Sequence, residues 1–511
     1  MALPAAAHAQ FGGANGFDYF ASNGQIAITG YYGPGGAVII PSMIAGVTGT
    51  VTTIESFSSD IHVTSVTIPS SVTSIGVFAF SECTGLTSVT IPSGVNSIGE
   101  SAFSECTGLT SVTISTGVAS IEDFAFEDCT GLTSVTIPTS VTSIGYGAFE
   151  GCTELTSIAV NSGNPDYSSA GGILFNNSKT TLVEYPGGLA GSYTIPATVT
   201  SIGDNAFEGC TKLTSVTIPT GVTSIGEAVF YACAGLTSIN VNSGNPDYSS
   251  PGGILFNYSG TTLVEYPGGR AGSYTIPATV TSIGDWAFGG NTGLTSVTIP
   301  SSVTSIGDWA LWTTGLTSVT IPSSVTSIGD NAFVDCIYLA SVYFMGNVPT
   351  TGSNVFAADN APGFTVAYYN GAAGFTSPTW TDSSGDTYPA ANMGTPPLSS
   401  WLFFNGLASN ANLQSTPNND GVPLLMDYAL NLNPTQNQSG SMPQPVISGN
   451  QLCLTFYIGA PGVTYTVQAS TDLQTWSTSG VTTSVPDASN FCTATVPVTG
   501  TSTFMRLVVT Y

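Results

Sequence analysis

A unit of 23 residues recurs along the chain and restricts its fold more than any other feature. The stretch from Leu86 reads LTSVTIPSGVNSIGESAFSECTG. It returns from Leu109 as LTSVTISTGVASIEDFAFEDCTG and from Leu132 as LTSVTIPTSVTSIGYGAFEGCTE. Equivalent units open at Val63, Leu155, Leu213, Leu236, Leu294, Leu316 and Leu339. A unit of this size cannot bury its apolar face alone and does so against its neighbours, so the period predicts a solenoid.

Within one unit the apolar positions are Leu86, Val89, Ile91, Val95, Ile98, Ala102, Phe103, Cys106 and Leu109. The spacing fits neither a helix nor a simple strand over its whole length, but it fits a coil with corners. SVTIP and VNSIG are β-branched and suit one rung each of parallel sheet. ESAFSEC predicts a helical turn with Glu100 near its start, and Asp123, Asp204, Glu227, Asp285, Asp308 and Asp330 recur there as caps. A cation-binding column is the alternative reading of those carboxylates.

The pattern LTSVTIPxxVTSIGxxAFxxCxxL resembles the leucine-rich repeats of BspA-like bacterial surface proteins over roughly residues 11–380. The resemblance implies a mostly β, right-handed solenoid of about twelve coils. It also implies an exported or cell-surface location and a role in adhesion, with no catalytic residues to carry over. Two longer units, from Asn161 and Asn242, begin NSGNPDYSS and continue through ILFN and TLVEYPGG. They predict hairpins across Ser178-Lys179-Thr180 and Ser259-Gly260-Thr261 that project from, or widen, two coils.

The expected organisation is a signal-peptide remnant over residues 1–10, with Ala7-His8-Ala9 as its cleavage site. An N-terminal cap over 11–62 and the solenoid with its C-terminal cap over 63–388 follow. A linker spans 389–400, and 401–511 form a helix and a small β-sandwich. Ahead of the helix, Asn418-Asn419-Asp420-Gly421 resembles a calcium loop in which Asn has replaced most of the Asp; an Asx turn is the other reading.

Composition narrows the function. Four Lys and Arg stand against 30 Asp and Glu, for a net charge of −26. That balance excludes binding to nucleic acid and anionic membranes, which needs clustered cations. No stretch is long and apolar enough for membrane insertion. His8 lies in the signal remnant and His62 is the other histidine, and the sequence carries no recognisable Ser-His-Asp set, HExxH motif or P-loop; an acid–base pair of carboxylates stays open, though caps account for most of them. Cofactors, metal ligands and catalytic residues are not expected.

Seven cysteines, Cys83, Cys106, Cys129, Cys152, Cys210, Cys233 and Cys336, occupy one repeat position and predict a buried column of thiols. Cys453 and Cys492 lie in separate strands, where a disulfide or two free thiols are both open. Thr67, Thr90, Thr113, Thr136, Thr217, Thr298 and Thr320 should face outward from one sheet.

The candidate ligand-binding residues are aromatic. The position before Ala in the AF turn is Ser101, Asn205 or Asn331 in some coils but Trp286 and Trp309 in two adjacent ones, with Trp312 close by. Exposed rings in a row can stack on sugars or anchor a protein, whereas packing against the second hairpin is the structural reading. Tyr248 and Tyr266, and their first-copy counterparts Tyr167 and Tyr185, carry the same ambiguity. These readings lead to a non-enzymatic extracellular or cell-surface adhesion protein whose partner is an extracellular protein or a glycan. A carbohydrate-binding module of a polysaccharide-associated system is the alternative.

Overall fold

The structure is a computed structural model. It describes residues 10–511 except 15, 58, 357–360, 370–371, 395, 399–400, 403–406, 408–410, 417–418, 431, 433, 435, 488–489 and 499–501. The proposed cleavage site at Ala7-His8-Ala9 lies outside the described residues. The chain divides into two compact units: residues 1–272, 283–295 and 309–315, and residues 273–282, 296–308 and 316–511.

The chain is mostly β and winds as a β-solenoid of about 16 turns, followed by antiparallel sheets. The longer strands of neighbouring repeats stack in parallel within several short sheets: Ser88–Ile91 pairs in register with Ser111–Ile114 through Val89↔Val112 and Ile91↔Ile114. Its burial alternates, so Val and Ile enter the core while Thr67, Thr90, Thr113 and Thr136 stay exposed. The shorter strand is the two residues Ser-Ile, as at Ser97–Ile98 and Ser120–Ile121.

The turns outnumber the twelve expected because both caps coil as well. Gly36–Ile39, inside the expected N-terminal cap, already pairs in parallel with Val63–Thr67. In the second unit, Ser341–Phe344, Thr365–Tyr368 and Thr387–Asn392 continue the parallel column. The last of these strands runs into the stretch expected as linker. Parallel pairing needs only backbone groups, so it persists after the side-chain consensus is lost.

The AF turn is not the helical turn expected. Its N–H groups alternate between two kinds of partner. Ala102, Ser104 and Cys106 close i→i+3 turns on Gly99, Ser101 and Phe103, while Ser101, Phe103 and Glu105 donate to Asp123, Ala125 and Glu127 of the next coil. Left-handed backbone at two positions per turn aims those N–H groups outward: Ser101 (φ 51) and Glu105 (φ 57), then Phe124 and Asp128. The carboxylates expected as helix caps therefore have another task. Asp123, Asp204 and Asp308 each accept the backbone N–H of the equivalent residue one coil on, at 2.8–2.9 Å. Gly145 and Gly226 make room for this: a Cβ there would lie 2.3 and 2.2 Å from the carboxylate oxygen.

Inside, the phenylalanines of successive coils stack as a ladder, with Phe80, Phe103, Phe126 and Phe149 at 5.1–5.6 Å and within 7° of parallel. The column of cysteines is buried and free. Six of the thiols donate to a main-chain carbonyl 25 or 26 residues back, for example Cys106 Sγ to Phe80 O at 3.0 Å and Cys233 Sγ to Phe207 O at 2.9 Å. Burial pushes the Cys83 thiol up to about 11, so it stays a protonated donor.

The hairpins widen the solenoid. Ile173–Asn176 pairs antiparallel with Thr181–Glu184, and Thr181–Glu184 is itself the short rung, parallel to Ser201–Ile202. A third strand, Tyr167–Ala170, adds to the outside. The second copy repeats this with Tyr248–Ser249, Leu255–Asn257 and Thr262–Glu265.

In the second unit, Val446–Ser448, Gln451–Tyr457, Phe491–Pro497 and Thr482–Thr483 form one antiparallel sheet, and Thr464–Ser470 with Phe504–Thr510 form another. Leu454, Phe456, Val467, Ala494 and Met505 join them in one core. Cys453 and Cys492 are both free, which corrects the disulfide option. Cys492 stands opposite Phe456, three residues along from Cys453, so the two point to opposite faces of the sheet. The expected helix spans Leu424–Ala429. Ahead of it, Asp420 accepts the N–H groups of Val422 and Gln438, the Asx-turn arrangement; Asn418 lies outside the described residues.

Candidate functional site

The side chains left over from this architecture gather on the AF-turn face of the first unit. Each duplicated block replaces one full AF turn with a short corner, Glu184-Tyr185-Pro186-Gly187-Gly188 or Glu265-Tyr266-Pro267-Gly268-Gly269. The corner tucks inward: Tyr185 and Tyr266 are buried and continue the aromatic ladder onto Phe207 and Phe288. The turns on either side then meet over it. A Cβ on Gly209 would lie 3.3 Å from the Gly151 backbone, and one on Gly290 only 2.8 Å from that of Ala232.

Over the second corner this closure assembles four rings. Trp286 and Trp309 stack at 5.2 Å and 8°, Trp312 meets both edge-on, and Tyr231 stacks on Trp312 at 4.7 Å. All four are half-buried. Trp286 and Trp309 both have left-handed backbone (φ 59 and 55), the same conformation as Ser101 and Asn205, so the fold and not the indole dictates it. Gly289 makes the Tyr231–Trp312 stack possible: a Cβ there would touch Trp286 and Tyr231 at 3.3–3.4 Å.

Of the residues expected to bind, Trp286, Trp309 and Trp312 come together, and they pack on one another and on Tyr231. Tyr248 and Tyr266 do not join them. Tyr248 is engaged by the Ile225 N–H, as Tyr167 is by the Ile144 N–H at 2.9 Å, which pins the base of the hairpin. Tyr266 lies in the core with Arg270 over its ring. Tyr231 was not foreseen; its only signal is that it stands where Ser104, Glu127 and Glu150 stand in other coils.

Over the first corner the same positions hold opposite chemistry. Glu150, Asn205 and Glu208 replace Tyr231, Trp286 and Gly289. Asn205 is 3% exposed. Its amide nitrogen reaches Glu150 at 3.5 Å and donates to Glu208, while its Oδ1 is buried with no hydrogen-bond partner. Burial, then the hydrogen bond and charge of Glu150, push Glu208 up to about 11. Burial and the neighbouring Glu150, Asp128 and Glu105 push Glu127 up to about 7. Burial raises Glu184 and, in the second copy, Glu265 well above the usual range. Among the described residues, no group of three His, Cys, Asp or Glu is placed to hold a metal ion, and no helix is long and apolar enough to cross a membrane.

The chain resembles a leucine-rich cell surface protein of Faecalibacterium prausnitzii at 25% identity, over 79% of this chain and 99% of that one, with a TM-score of 0.42. It resembles a leucine-rich repeat protein of T. pallidum at 29% identity, over 44% of this chain and 91% of that one, with a TM-score of 0.32. The pneumococcal vaccine antigen PcpA matches at 19% identity over 71% and 94%, with a TM-score of 0.40. No curated protein matches the chain. The BspA type leucine-rich repeat region, in six copies, matches residues 52–181, 190–258 and 270–367. Covered by that repeat over more than half its length, the chain belongs to the BspA-type leucine-rich-repeat family of bacterial surface proteins.

Proposed function

We propose that this is an exported, non-enzymatic surface protein that binds a macromolecular partner through the AF-turn face of its solenoid. The observation that carries the reading is the half-exposed cluster of Tyr231, Trp286, Trp309 and Trp312. The other repeated columns serve the solenoid itself: Phe and Cys fill the core and Asp bridges coils. A cluster of large aromatic side chains at the surface marks an interaction site, because Trp and Tyr dominate binding energy where they are desolvated.

A protein partner is favoured over a glycan. Sugar stacking needs an open ring face, and Trp286 is covered by Trp309 on one side and met edge-on by Tyr231 and Trp312. The glycan reading then rests on Trp309. The test is capture by the purified chain of solubilised matrix and cell-surface proteins, beside a glycan array. Protein capture that falls at least tenfold in Trp286→Ala/Trp309→Ala supports the proposal. Glycan binding lost in Trp309→Ala, with no protein captured, replaces it with the alternative.

A further inference from the structure

The AF-turn face of the first unit changes chemistry along its length. At the position three residues after the left-handed site, successive full turns carry Glu127, Glu150, Glu208, Tyr231, Gly289 and Trp312. Three carboxyl groups in line thus lead directly into the aromatic cluster. Asp128 N–H donates to Glu150 O at 2.7 Å and Gly209 N–H donates to Tyr231 O at 3.0 Å, so those turns are adjacent in pairs, and the turns of Glu150 and Glu208 meet over the tucked corner between them.

The acidic half is crowded with carboxyl groups. Around Asn205 lie the carboxyl groups of Glu150 and Glu208, hydrogen-bonded to each other, and the Tyr146 hydroxyl, while the amide's own Oδ1 is buried without a partner. Glu127 and Asp128 add two further carboxyl groups on the next turn. The chain's own cations are used elsewhere or sit apart: Lys212 pairs with Glu154, Arg270 holds the Thr237 and Gly252 carbonyls, Arg506 holds Gln468, and Lys179 sits in the first hairpin turn. Clustered carboxyl groups disfavour one another's ionisation, and a cationic N–H group brought to them relieves that repulsion.

We propose that this strip docks a basic polypeptide segment, with Lys or Arg heads on Glu127, Glu150, Asn205 and Glu208 and the following side chains on Tyr231 and Trp286. Six coil levels at ~4.8 Å per rung give a strip of about 25 Å, which matches roughly seven residues of extended chain and exceeds any single ammonium ligand. The aromatic half adds apolar surface on which the aliphatic stems of the same residue types pack. This inference rests on the binding role proposed above and names the chemistry of the partner.

The test is fluorescence anisotropy of a labelled Arg-Gly repeat decapeptide with the full chain at physiological salt. The pair Glu150→Gln/Glu208→Gln keeps side-chain shape and should weaken binding at least tenfold. The charge-matched control Asp166→Asn/Asp247→Asn, on the exposed hairpins, should change it less than twofold. Trp286→Leu, with the acidic column intact, should weaken it about fivefold; circular dichroism melts confirm that each variant folds. Equal weakening by the hairpin control overturns the proposal, because it shows only a diffuse field acting on a net charge of −26. So does binding of a neutral oligosaccharide where the peptide does not bind. If matrix-protein capture survives Glu150→Gln/Glu208→Gln unchanged, this surface is wrong and the binding role stands; if the unmodified chain captures nothing, the binding role fails as well.

Discussion

Asn291 occupies the cysteine position of its coil and allows a quantitative test of the thiol column. In six other coils a buried Sγ–H donates to a carbonyl at 2.9–3.4 Å, leaving no strong acceptor behind. Asn291 keeps the donation, from Nδ2 to Tyr266 O at 2.9 Å, but brings an oxygen that is fully buried and has no partner. That oxygen lies where a Cβ on Gly268 would come within 2.9 Å, so the short corner leaves no space for a compensating side chain. An unsatisfied buried acceptor costs ~1–3 kcal/mol. Asn291→Cys removes that cost and exchanges an amide donor for a weaker thiol donor, a loss of about 0.5 kcal/mol. The smaller side chain also leaves a slight void, which takes back part of the gain. The expected net is a stabilisation of ~1 kcal/mol, read as an increased guanidinium midpoint at unchanged slope in reducing buffer. The reverse change, Cys233→Asn, should destabilise by ~1–3 kcal/mol. If Asn291→Cys is neutral or destabilising while Cys233→Asn costs nothing, the thiol column is mere filling and the hydrogen-bond account is wrong.

Three further outcomes follow from the same geometry. Phe103→Ala removes a fully buried ring stacked on both sides and should cost ~3–5 kcal/mol. Its effect on hydrogen exchange should concentrate in the coils of Phe80 and Phe126, since each coil packs only on its neighbours; uniform acceleration along the chain contradicts this. Burial raises the folded-state pKa of Glu184 and Glu265 above the unfolded value of about 4.3, so the folded protein holds protons that the unfolded chain releases. Stability is therefore greatest below that unfolded value and falls as pH rises toward the folded values. Melting temperature should drop from pH 5 to pH 8, and Glu184→Gln/Glu265→Gln should flatten the slope; a melting temperature that rises with pH refutes the sign. Finally, Ellman's reagent should find Cys453, half-exposed, well before the seven buried repeat cysteines, whose labelling should track global unfolding. Prompt reaction of several thiols in the folded protein argues against the sealed column.

What could be read from the sequence was whatever repeats. Val89, Ile91, Phe103 and Cys106 recur at fixed offsets, and period alone assigns them to one buried column each. The AF turn was misread because ESAFSEC has the composition of a helix start, whereas its N–H groups are spent alternately on its own turn and on the next coil. A signal for this was available. The two left-handed positions hold Gly147 and Gly151 in one coil, Asn205 and Gly209 in another and Gly290 in a third, and Gly and Asn at fixed offsets mark backbone with positive φ. Tyr231 was missed for a different reason. It lies 55 residues from Trp286, and only the tucked corner at Tyr266-Pro267-Gly268 brings their turns together. The acidic column is hard to tell from the repeat's other carboxylates by sequence, because Glu127 and Glu208 stand only four residues after Asp123 and Asp204 in the same turns.

The duplicated block separates architecture from use within this one chain. Asn164 donates to Pro138 O and Val141 O at 2.8 and 2.9 Å, and Asn245 repeats this with Pro219 O and Val222 O at 3.0 and 2.9 Å. Asn176 and Asn257 brace their hairpin turns through matching bonds to paired threonines. Glu184 and Glu265 occupy the same buried site, as do Tyr185 and Tyr266. Everything that builds the corner is thus copied. Three of the turn-face positions differ in a coordinated way: Glu150, Asn205 and Glu208 form a polar, acidic group, while Tyr231, Trp286 and Gly289 form an aromatic one with a glycine beside the stacked rings. Solvation alone asks only for polar side chains on that face and accounts for neither the buried, clustered carboxyls nor the stacked indoles. Both arrangements are costly to leave uncovered, one electrostatically and one through exposed apolar area. A partner that covers the two together, cationic at one end and able to pack on rings at the other, relieves both costs in a single docking event.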